Sequence, residues 1–247
     1  MHNESFRLLG LDYVYLCFDV NEETLPAAVA GLKTCGIRGF NLTMPNKNKI
    51  VELLDELSPE AQLIGAVNTV LNDNGKLIGY NTDGYGFMQS VRDAGHDITG
   101  KNITVMGVGG ASMAICAQSA LDGAASVHIF ARRTSRYWNR TQKFAENLSA
   151  KTGCQVCLFD NDDHTALRDS IAQSYLLINA TSVGMVPDID DTIIKDTSLF
   201  HPELVVADVV YEPQETRLLR EAKATGCQTF NGMYMLLHQG AKAFQIW

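Results

Sequence analysis

A glycine-rich turn near the middle of the chain has the residue types and spacing that phosphate binding requires. The turn follows an apolar strand pattern and consists of Gly107, Val108, Gly109, Gly110, Ala111 and Ser112. Gly107 permits a tight turn, and Gly109 lets the backbone approach a pyrophosphate closely. The helix that follows presents free N–H groups and the positive end of its dipole. Because strand, turn and helix are in register, the segment predicts a dinucleotide site, although Ser112 replaces the third glycine of the motif. The alternative is a turn built for packing alone.

The strand after this helix, at residues 126–130, ends where a dinucleotide-binding fold places the adenosine ribose. An NAD-preferring site often has an acidic residue there, bonded to the ribose 2′-hydroxyl. This chain has no acid at that point but has Arg132 and Arg133, whose charges suit a 2′-phosphate. We therefore predict a mild preference for NADP over NAD. The alternative is that the arginines are the solvated start of a helix.

Composition excludes several classes of partner. The 247 residues carry a net charge of −8 without a long run of one sign, which argues against nucleic acid and anionic membranes. No apolar run is long enough to span a bilayer, and no signal-peptide pattern opens the chain. The six cysteines suit a reducing compartment and show no zinc-binding set, so we expect a cytoplasmic protein without a metal.

Strand and helix patterns alternate along nearly the whole chain, which is typical of an α/β protein with mostly parallel sheets. Strands are predicted at residues 13–20, 38–42, 67–71, 76–80, 103–106, 126–130, 155–159, 176–179, 205–209 and 228–230. Helices are predicted at residues 23–34, 46–57, 83–94, 111–121, 136–152 and 233–244. A polar, glycine-containing stretch at residues 95–100 suggests a boundary. We expect a Rossmann-type dinucleotide-binding domain at residues 97–230 and a smaller α/β substrate domain at residues 1–96, to which residues 231–247 return. The ligand cleft should lie between the two domains.

Six short segments, spaced along the chain in a specific order, carry a family resemblance. They are GFNLTMPNK at residues 39–47, GAVNT at 65–69, GYNTDG at 79–84, GVGGA at 107–111, NATSVGM at 179–185 and NGMYMLLHQ at 231–239. Together they resemble the shikimate dehydrogenase family over nearly the whole chain. The MPNK form at residues 44–47 and the NDNG hairpin at residues 72–75 are closest to its quinate/shikimate dehydrogenase branch.

The resemblance implies a reaction and roles for individual residues. The reaction is the reversible NAD(P)-dependent oxidation of shikimate to 3-dehydroshikimate, or of quinate to 3-dehydroquinate, as in aromatic amino acid biosynthesis through the chorismate pathway. Lys47 would be the catalytic acid/base, paired with Asp83. The residues implied to bind the polyhydroxy carboxylate are Tyr15, Thr43, Asn68, Thr82 and Gln239. Those implied on the cofactor side, besides the glycine turn, are Thr181, Val209, Tyr211 and Gly232.

The chemistry of the residues agrees with these roles. Oxidation of an alcohol needs a base for the hydroxyl proton and a hydride acceptor for the carbon. Lys47 opens one helix and Asp83 opens another, each after a predicted strand, so both should lie at sheet ends where α/β folds place ligands. From the pattern alone, Lys47 could equally be an exposed helix-start lysine like Lys49, and Asp83 a plain helix N-cap.

The chain departs from the family pattern at its ends. The family opens with a strand and a loop whose two serines bind the substrate carboxylate, whereas residues 1–3 here resemble the segment that follows those serines. The chain also stops at Trp247, short of the usual C-terminal helix. Either residues that precede Met1 are left out of this sequence, or the chain is a truncated form. In the second case we expect a weakened carboxylate site, at roughly 1.5–3 kcal/mol for each lost charge-assisted hydrogen bond. An open first sheet would also favour a homodimer.

Two other functions stay open at this point. One is a catalytically impaired paralogue that binds NAD(P)H but, lacking the serine loop, oxidises no polyol. The other is a dehydrogenase of the same architecture that acts on a different hydroxy acid or on an amino analogue of shikimate. The sequence does not decide between shikimate and quinate, nor does it settle the oligomeric state.

Overall fold

The structure, a computed structural model, describes every residue from Met1 to Trp247. Its strands are β1 (Gly39–Asn41), β2 (Glu56–Leu57), β3 (Thr69–Asp73), β4 (Lys76–Tyr80), β5 (Asn102–Met106), β6 (Ser126–Ala131), β7 (Gln155–Asp160), β8 (Leu176–Asn179), β9 (Val205–Asp208) and β10 (Gln228–Phe230). Its helices are α1 (His2–Leu9), α2 (Leu25–Thr34), α3 (Asn46–Lys49), α4 (Pro59–Ile64), α5 (Asp83–Asp93), α6 (Gly110–Leu121), α7 (Trp138–Thr152), α8 (His164–Gln173), α9 (Arg217–Ala224) and α10 (Met233–Ile246). None of these helices combines the length and the apolar character needed to cross a bilayer.

The larger sheet has six parallel strands in the order β10-β9-β8-β5-β6-β7. The chain runs outward from β5 in one direction and then returns to build the other half from β8, which is the topology of a doubly wound nucleotide-binding fold. Along β5, Ile103 and Val105 face one apolar cluster while Met106 faces the other, because successive strand residues point to opposite faces. The predicted Rossmann-type α/β fold is therefore confirmed.

The smaller sheet has the order β1-β3-β4-β2 and is mixed, since only β2 and β4 run parallel. The predicted hairpin forms between β3 and β4. Its two turn residues, Asn74 and Gly75, have φ angles of 52° and 92°. Positive φ at both positions is what a tight two-residue hairpin needs, and asparagine followed by glycine tolerates it best. The expectation of mostly parallel sheets therefore holds for the larger sheet only.

The strand predicted at residues 13–20 does not form. No neighbouring strand is hydrogen-bonded to this segment, and the backbone of Tyr15 is instead held by the side chain of Asn3. Val14 and Phe18 are 70% and 65% exposed. The segment has strand-like residues, but a strand is stable only where another strand accepts and donates its backbone hydrogen bonds.

The helix predicted at residues 46–57 is also wrong beyond its first turns. After α3 the backbone tightens into a 3₁₀ turn at Ile50–Leu53, and Leu54 is extended, with φ −103° and ψ 148°. The carboxylate of Asp55 accepts a hydrogen bond from the backbone N–H of Leu77 at 2.7 Å. The apolar residues that gave a helical period pack against the small core from three different local conformations.

Helix α5 joins the two sheets. A side chain on Gly84 would place its Cβ 2.3 Å from the carbonyl oxygen of Ala114 in α6, and one on Gly86 would lie 2.7 Å from the backbone nitrogen of Gln239 in α10. Phe87 of α5 belongs to the same apolar cluster as the larger sheet. The expected domain boundaries stay a prediction, because packing is continuous across α5.

Candidate active site

The structure brings Lys47 and Asp83 into direct contact, although they are 36 positions apart. The Lys47 Nζ lies 2.7 Å from the Asp83 Oδ2, and the two side chains are 18% and 10% exposed. Lys47 lies in the single turn of α3, and Asp83 is the first residue of α5, just beyond the end of β4. The ammonium group has three donor positions, of which Asp83 uses one. The pair is therefore partly open to a ligand.

Asn68 fixes the orientation of this pair. Its side-chain nitrogen donates to the Asp83 Oδ1 at 2.8 Å and to the Thr82 hydroxyl at 2.9 Å. Its side-chain oxygen accepts from the backbone N–H of Thr82 at 2.9 Å and from the Thr69 hydroxyl, also at 2.9 Å. Asn68 and Thr82 are each 2% exposed. Each carboxylate oxygen of Asp83 thus has its own partner, so the Lys47 amine is held in one direction.

Gln239 reaches the edge of this cluster from α10. Its side-chain oxygen lies 3.5 Å from the Asn68 nitrogen, and its own nitrogen donates to the carbonyl of Leu236 at 3.0 Å. The close approach of α10 to α5 depends on Gly86, since any side chain there would meet the Gln239 backbone. The structure therefore places Gln239 with Asn68, two residues to which the resemblance gives a substrate-binding role.

Tyr15 joins the cluster through a residue that the sequence analysis did not single out. The Tyr15 hydroxyl donates to the Asn41 Oδ1 at 2.9 Å, and the Asn41 nitrogen donates to the Thr69 hydroxyl at 3.0 Å. Burial raises the pKa of Tyr15. Asn41 lies within the 39–47 segment, so that motif was the signal that could have found it. Thr43 is exposed, and its hydroxyl donates to no protein group.

The glycine turn between β5 and α6 has the predicted geometry. Gly107 has a φ of 113°, and a Cβ there would lie 2.8 Å from the Thr181 Cγ2. The Ser112 hydroxyl donates to the Gly107 carbonyl at 2.6 Å, so the non-glycine residue at the third motif position ties the helix to the turn. Gly109 is the N-cap of α6, and no side chain caps the helix. Its first N–H groups are therefore available to an anion.

A buried acid positions the loops beside this turn. Asp208 at the end of β9 and Asn179 at the end of β8 are both fully buried, and the Asn179 nitrogen donates to the Asp208 Oδ1 at 3.0 Å. The Asn179 oxygen accepts from the Thr181 hydroxyl at 2.6 Å, and Asp208 accepts from the Thr216 hydroxyl at 2.8 Å. Burial raises the pKa of Asp208, although hydrogen bonds oppose that shift. The only sequence signal for Asp208 was an acid at the end of an apolar strand.

The remaining residues predicted at the cofactor lie at the ends of β9 and β6. Gly232 touches the strand end at Val209, because a Cβ on Gly232 would lie 2.0 Å from the Val209 carbonyl oxygen, whereas Tyr211 lies further out and is 41% exposed. Arg132 and Arg133 are exposed directly after β6, and the Arg133 guanidinium stacks 4.7 Å from the ring centroid of Trp138.

The lysine segment and the glycine turn face each other across a cleft. Met44 and Asn48, on either side of Lys47, line the same cavity as Gly109 and Gly110. The Lys47–Asp83 pair and its amide and hydroxyl partners therefore lie next to residues that share a cavity with the start of α6. Such a site can accept a proton from a polyhydroxy compound beside a bound dinucleotide.

Comparison with known proteins points to one family. Residues 1–70 match the shikimate dehydrogenase substrate binding domain. The shikimate dehydrogenase (NADP(+)) of Listeria innocua serovar 6a is 51% identical over 247 residues, which is 100% of this chain and 84% of that protein.

Solved structures agree with the sequence match. Shikimate 5-dehydrogenase from Listeria monocytogenes, solved in complex with shikimate and NAD, has a TM-score of 0.97 and 50% identity, covering 100% of this chain and 85% of the other. Quinate dehydrogenase from Corynebacterium glutamicum, solved with NAD, has a TM-score of 0.87 and 30% identity. The match covers 99% of this chain and 86% of the other.

Proposed function

We propose that this chain, which belongs to the shikimate dehydrogenase family, catalyses the reversible NAD(P)-dependent oxidation of shikimate to 3-dehydroshikimate, with quinate as the alternative substrate. The observation that carries the proposal is the Lys47–Asp83 pair, which is held by Asn68. Met44 and Asn48, which flank Lys47 in the chain, line a cavity together with Gly109 and Gly110. The Listeria innocua relative is named for the same reaction. The quinate dehydrogenase of Corynebacterium glutamicum supports quinate as the second substrate.

Lys47 acts as the general base in the oxidation and as the general acid in the reverse reaction. The neutral amine accepts the proton of the C3 hydroxyl as the C–H bond breaks and the C=O bond forms. A bound nicotinamide would supply the acceptor for the hydride that leaves the carbon. Asp83 holds the amine at 2.7 Å and stabilises the ammonium that results. Asn68 keeps Asp83 in place, so little reorganisation is needed during the proton transfer.

The substrate's polar groups find matching partners around this pair. Asn68, Thr82 and Gln239 offer amide and hydroxyl groups to the ring hydroxyls, exchanging some of their present hydrogen bonds for bonds to the ligand. Thr43 and Tyr15 line the side that receives the carboxylate. The Thr43 hydroxyl is exposed and free to donate, which suits a carboxylate oxygen.

The cofactor lies on the larger sheet in this proposal. The start of α6 would hold the pyrophosphate, and Gly232, Val209 and Thr181 would hold the nicotinamide half. Arg132 and Arg133 supply positive charge for a 2′-phosphate, which supports a mild preference for NADP; the named Listeria innocua relative uses NADP, while the Listeria monocytogenes structure holds NAD.

The two sheets correspond to two proposed domains. Residues 1–96 with residues 231–247 form the substrate domain, and residues 97–230 form the cofactor domain. All six cysteines are free, which supports a reducing compartment such as the cytoplasm. The homodimer stays a prediction that sedimentation would test.

A steady-state assay of the purified chain tests the reaction. Shikimate and quinate are each offered with NADP and with NAD, and reduction of the cofactor is followed by its absorbance. We expect turnover, with shikimate and NADP as the best pair. NADPH binding without turnover on either polyol would contradict the proposal and favour the impaired paralogue, for which the relatives, named as dehydrogenases, give no support.

Replacement of the lysine tests its role. Lys47→Ala should lower kcat by roughly 10²–10⁴, the usual contribution of general acid–base catalysis. The matched control is Lys49→Ala, which removes an exposed lysine of the same short helix that pairs only with Glu52. A Lys47→Ala enzyme with the kcat of the unchanged protein would refute the assigned role.

A further inference from the structure

The cavity between the glycine turn and the substrate domain contains a single charged residue. Gly109 and Gly110 line it from one side, and Met44 and Asn48 line it from the other. Arg140, from the first turn of α7, is the only charged group among the residues that line it. This arginine takes no part in the proposed proton transfer. It is also separate from Arg132 and Arg133 at the end of β6.

Arg140 has no partner within the protein, unlike several other arginines. Arg92 pairs with Asp122 at 2.9 Å, and the Arg133 guanidinium stacks on Trp138. Arg140 is exposed and makes no hydrogen bond or ion pair with another residue. Its guanidinium is therefore free to bind an anion without first breaking an internal contact.

The side chain reaches across the cleft rather than outward from α7. Its Nη2 lies 3.8 Å from the position that a Cβ on Gly65 would occupy. Gly65 ends α4 in the substrate domain, and its carbonyl accepts a hydrogen bond from the Asn48 side chain at 2.8 Å. Arg140 thus lies over the opening in which Gly109 and Gly110 present the start of α6.

A cation at this position would add a positive charge that the glycine turn does not supply. The turn and the first turn of α6 contain no lysine or arginine, so they offer only N–H groups and the helix dipole. A dinucleotide pyrophosphate carries two negative charges, and arginine binds phosphate oxygens in a two-pronged geometry. Arg140 is the one cation that faces the same cavity.

We infer that Arg140 is a cofactor-binding residue that contacts the pyrophosphate of NAD(P) from across the glycine turn. This inference rests on the proposed dinucleotide site and extends it. Arg132 and Arg133 distinguish NADP from NAD through the 2′-phosphate, whereas Arg140 binds a group that both cofactors share. Its contribution is therefore the same for NADPH and NADH.

Fluorescence titration of the full chain with NADPH and with NADH, without polyol, tests the inference. Arg140→Ala should weaken both cofactors by the same factor, roughly tenfold to a hundredfold, as expected for the loss of a charge-assisted hydrogen bond. Arg140→Lys should recover part of the affinity, since it keeps the charge but loses the two-pronged geometry. In turnover assays the KM for the cofactor should rise while kcat at saturating cofactor is unchanged.

Two further variants serve as controls. Arg220→Ala removes another exposed arginine, from α9, and should leave both affinities unchanged although it alters the net charge equally. The double change R132A/R133A should weaken NADPH only. Unchanged NADPH and NADH affinity in Arg140→Ala would overturn the inference, and so would a loss confined to NADPH. Failure of the unchanged protein to bind either cofactor would instead overturn the dinucleotide site itself.

Discussion

The two proposed domains differ in how their sheets are buried. In the cofactor domain every residue of β8 and β9 is buried, and the sheet separates apolar clusters of 28 and 13 buried residues. In the substrate domain the strands have two to five residues, and the apolar cluster around them has eight buried members. Lys47 therefore belongs to the less strongly packed part of the chain.

Helix α5 connects the smaller core to the larger one. It carries Asp83 at its start and packs through Gly84 against α6 of the cofactor domain and through Gly86 against α10. The Asp83 carboxylate is thus held by the large core, although its partner Lys47 belongs to the small one. We expect changes in the two cores to affect cofactor binding and turnover differently.

The largest expected effect comes from one leucine in each core. Leu148 of α7 is fully buried in the 28-residue cluster, and Leu77 of β4 is 1% exposed in the eight-residue cluster. Replacement of either by alanine should cost about 2–5 kcal/mol of unfolding free energy. Leu148→Ala should reduce NADPH binding and turnover together, whereas Leu77→Ala should reduce turnover at urea concentrations where NADPH still binds. Urea unfolding followed by circular dichroism and by NADPH fluorescence measures both. If Leu77→Ala loses both functions in one transition, the two domains unfold as a single unit.

A smaller effect is expected at the contact between α5 and α6. Gly84→Ala forces a Cβ against the Ala114 carbonyl, so it should lower the unfolding free energy by about 1–3 kcal/mol and lower kcat by moving Asp83. The matched control is Gly31→Ala in α2, where a Cβ meets no atom within 4 Å. There the same change should stabilise the protein by about 0.4–1 kcal/mol. Thermal melts and steady-state assays of both variants measure the contrast, and an unaltered kcat in Gly84→Ala would separate α5 packing from the chemistry.

The smallest effect concerns two acids whose pKa values are shifted in opposite directions. Burial raises the pKa of Asp208, so the folded state keeps its proton at a pH where the unfolded chain has lost it. Stability from this group therefore falls as pH rises from about 3.9, the ordinary carboxyl pKa, to the raised value. A backbone hydrogen bond from Leu77 lowers the pKa of Asp55, so its stabilisation is present above about pH 3.9 and is lost as pH falls through the lowered value.

Thermal melts at a series of pH values compare the two acids. Relative to the unchanged protein, Asp208→Asn should gain stability as pH rises from about 3.9 to the raised pKa of Asp208. Asp55→Asn should lose stability as pH rises from the lowered pKa of Asp55 to about 3.9. If the stability of the two variants changed with pH in the same direction, the opposite pKa shifts of Asp208 and Asp55 would be contradicted.

Much of the site could be predicted from the sequence because its motifs are local. The glycine turn, the Asn74–Gly75 hairpin and the strand ends before Asp83 all depend on conformations that a few neighbouring residues set. The resemblance brought in Lys47 and Gln239 as partners of the same site. Asn41 was missed although it lies inside the 39–47 motif, because the motif does not show which of its polar residues bonds to Tyr15 and Thr69. Asp208 was missed because an isolated acid at a strand end gives no pattern until its neighbours in space are known.

The two wrong elements show the limit of local patterns. Residues 13–20 have strand-like side chains but no neighbouring strand to bond to, and residues 46–57 have a helical period but end in an extended segment paired with β4. In both cases the outcome depended on whether a strand elsewhere in the fold pairs with the segment. The local sequence does not show which strands lie beside it.

The sequence by itself determined the fold class and the glycine turn between β5 and α6, because φ preferences and apolar periodicity are properties of residues and their near neighbours. Its family resemblance indicated Lys47 and Asp83 as the proposed reacting groups. Only the tertiary structure decided that Lys47 lies 2.7 Å from Asp83, that Asn68 orients the pair, and that Arg140 reaches over the cleft to Gly65. These contacts join residues up to 75 positions apart (Gly65 to Arg140), and they arise from the packing of α5 and α7 against neighbouring elements.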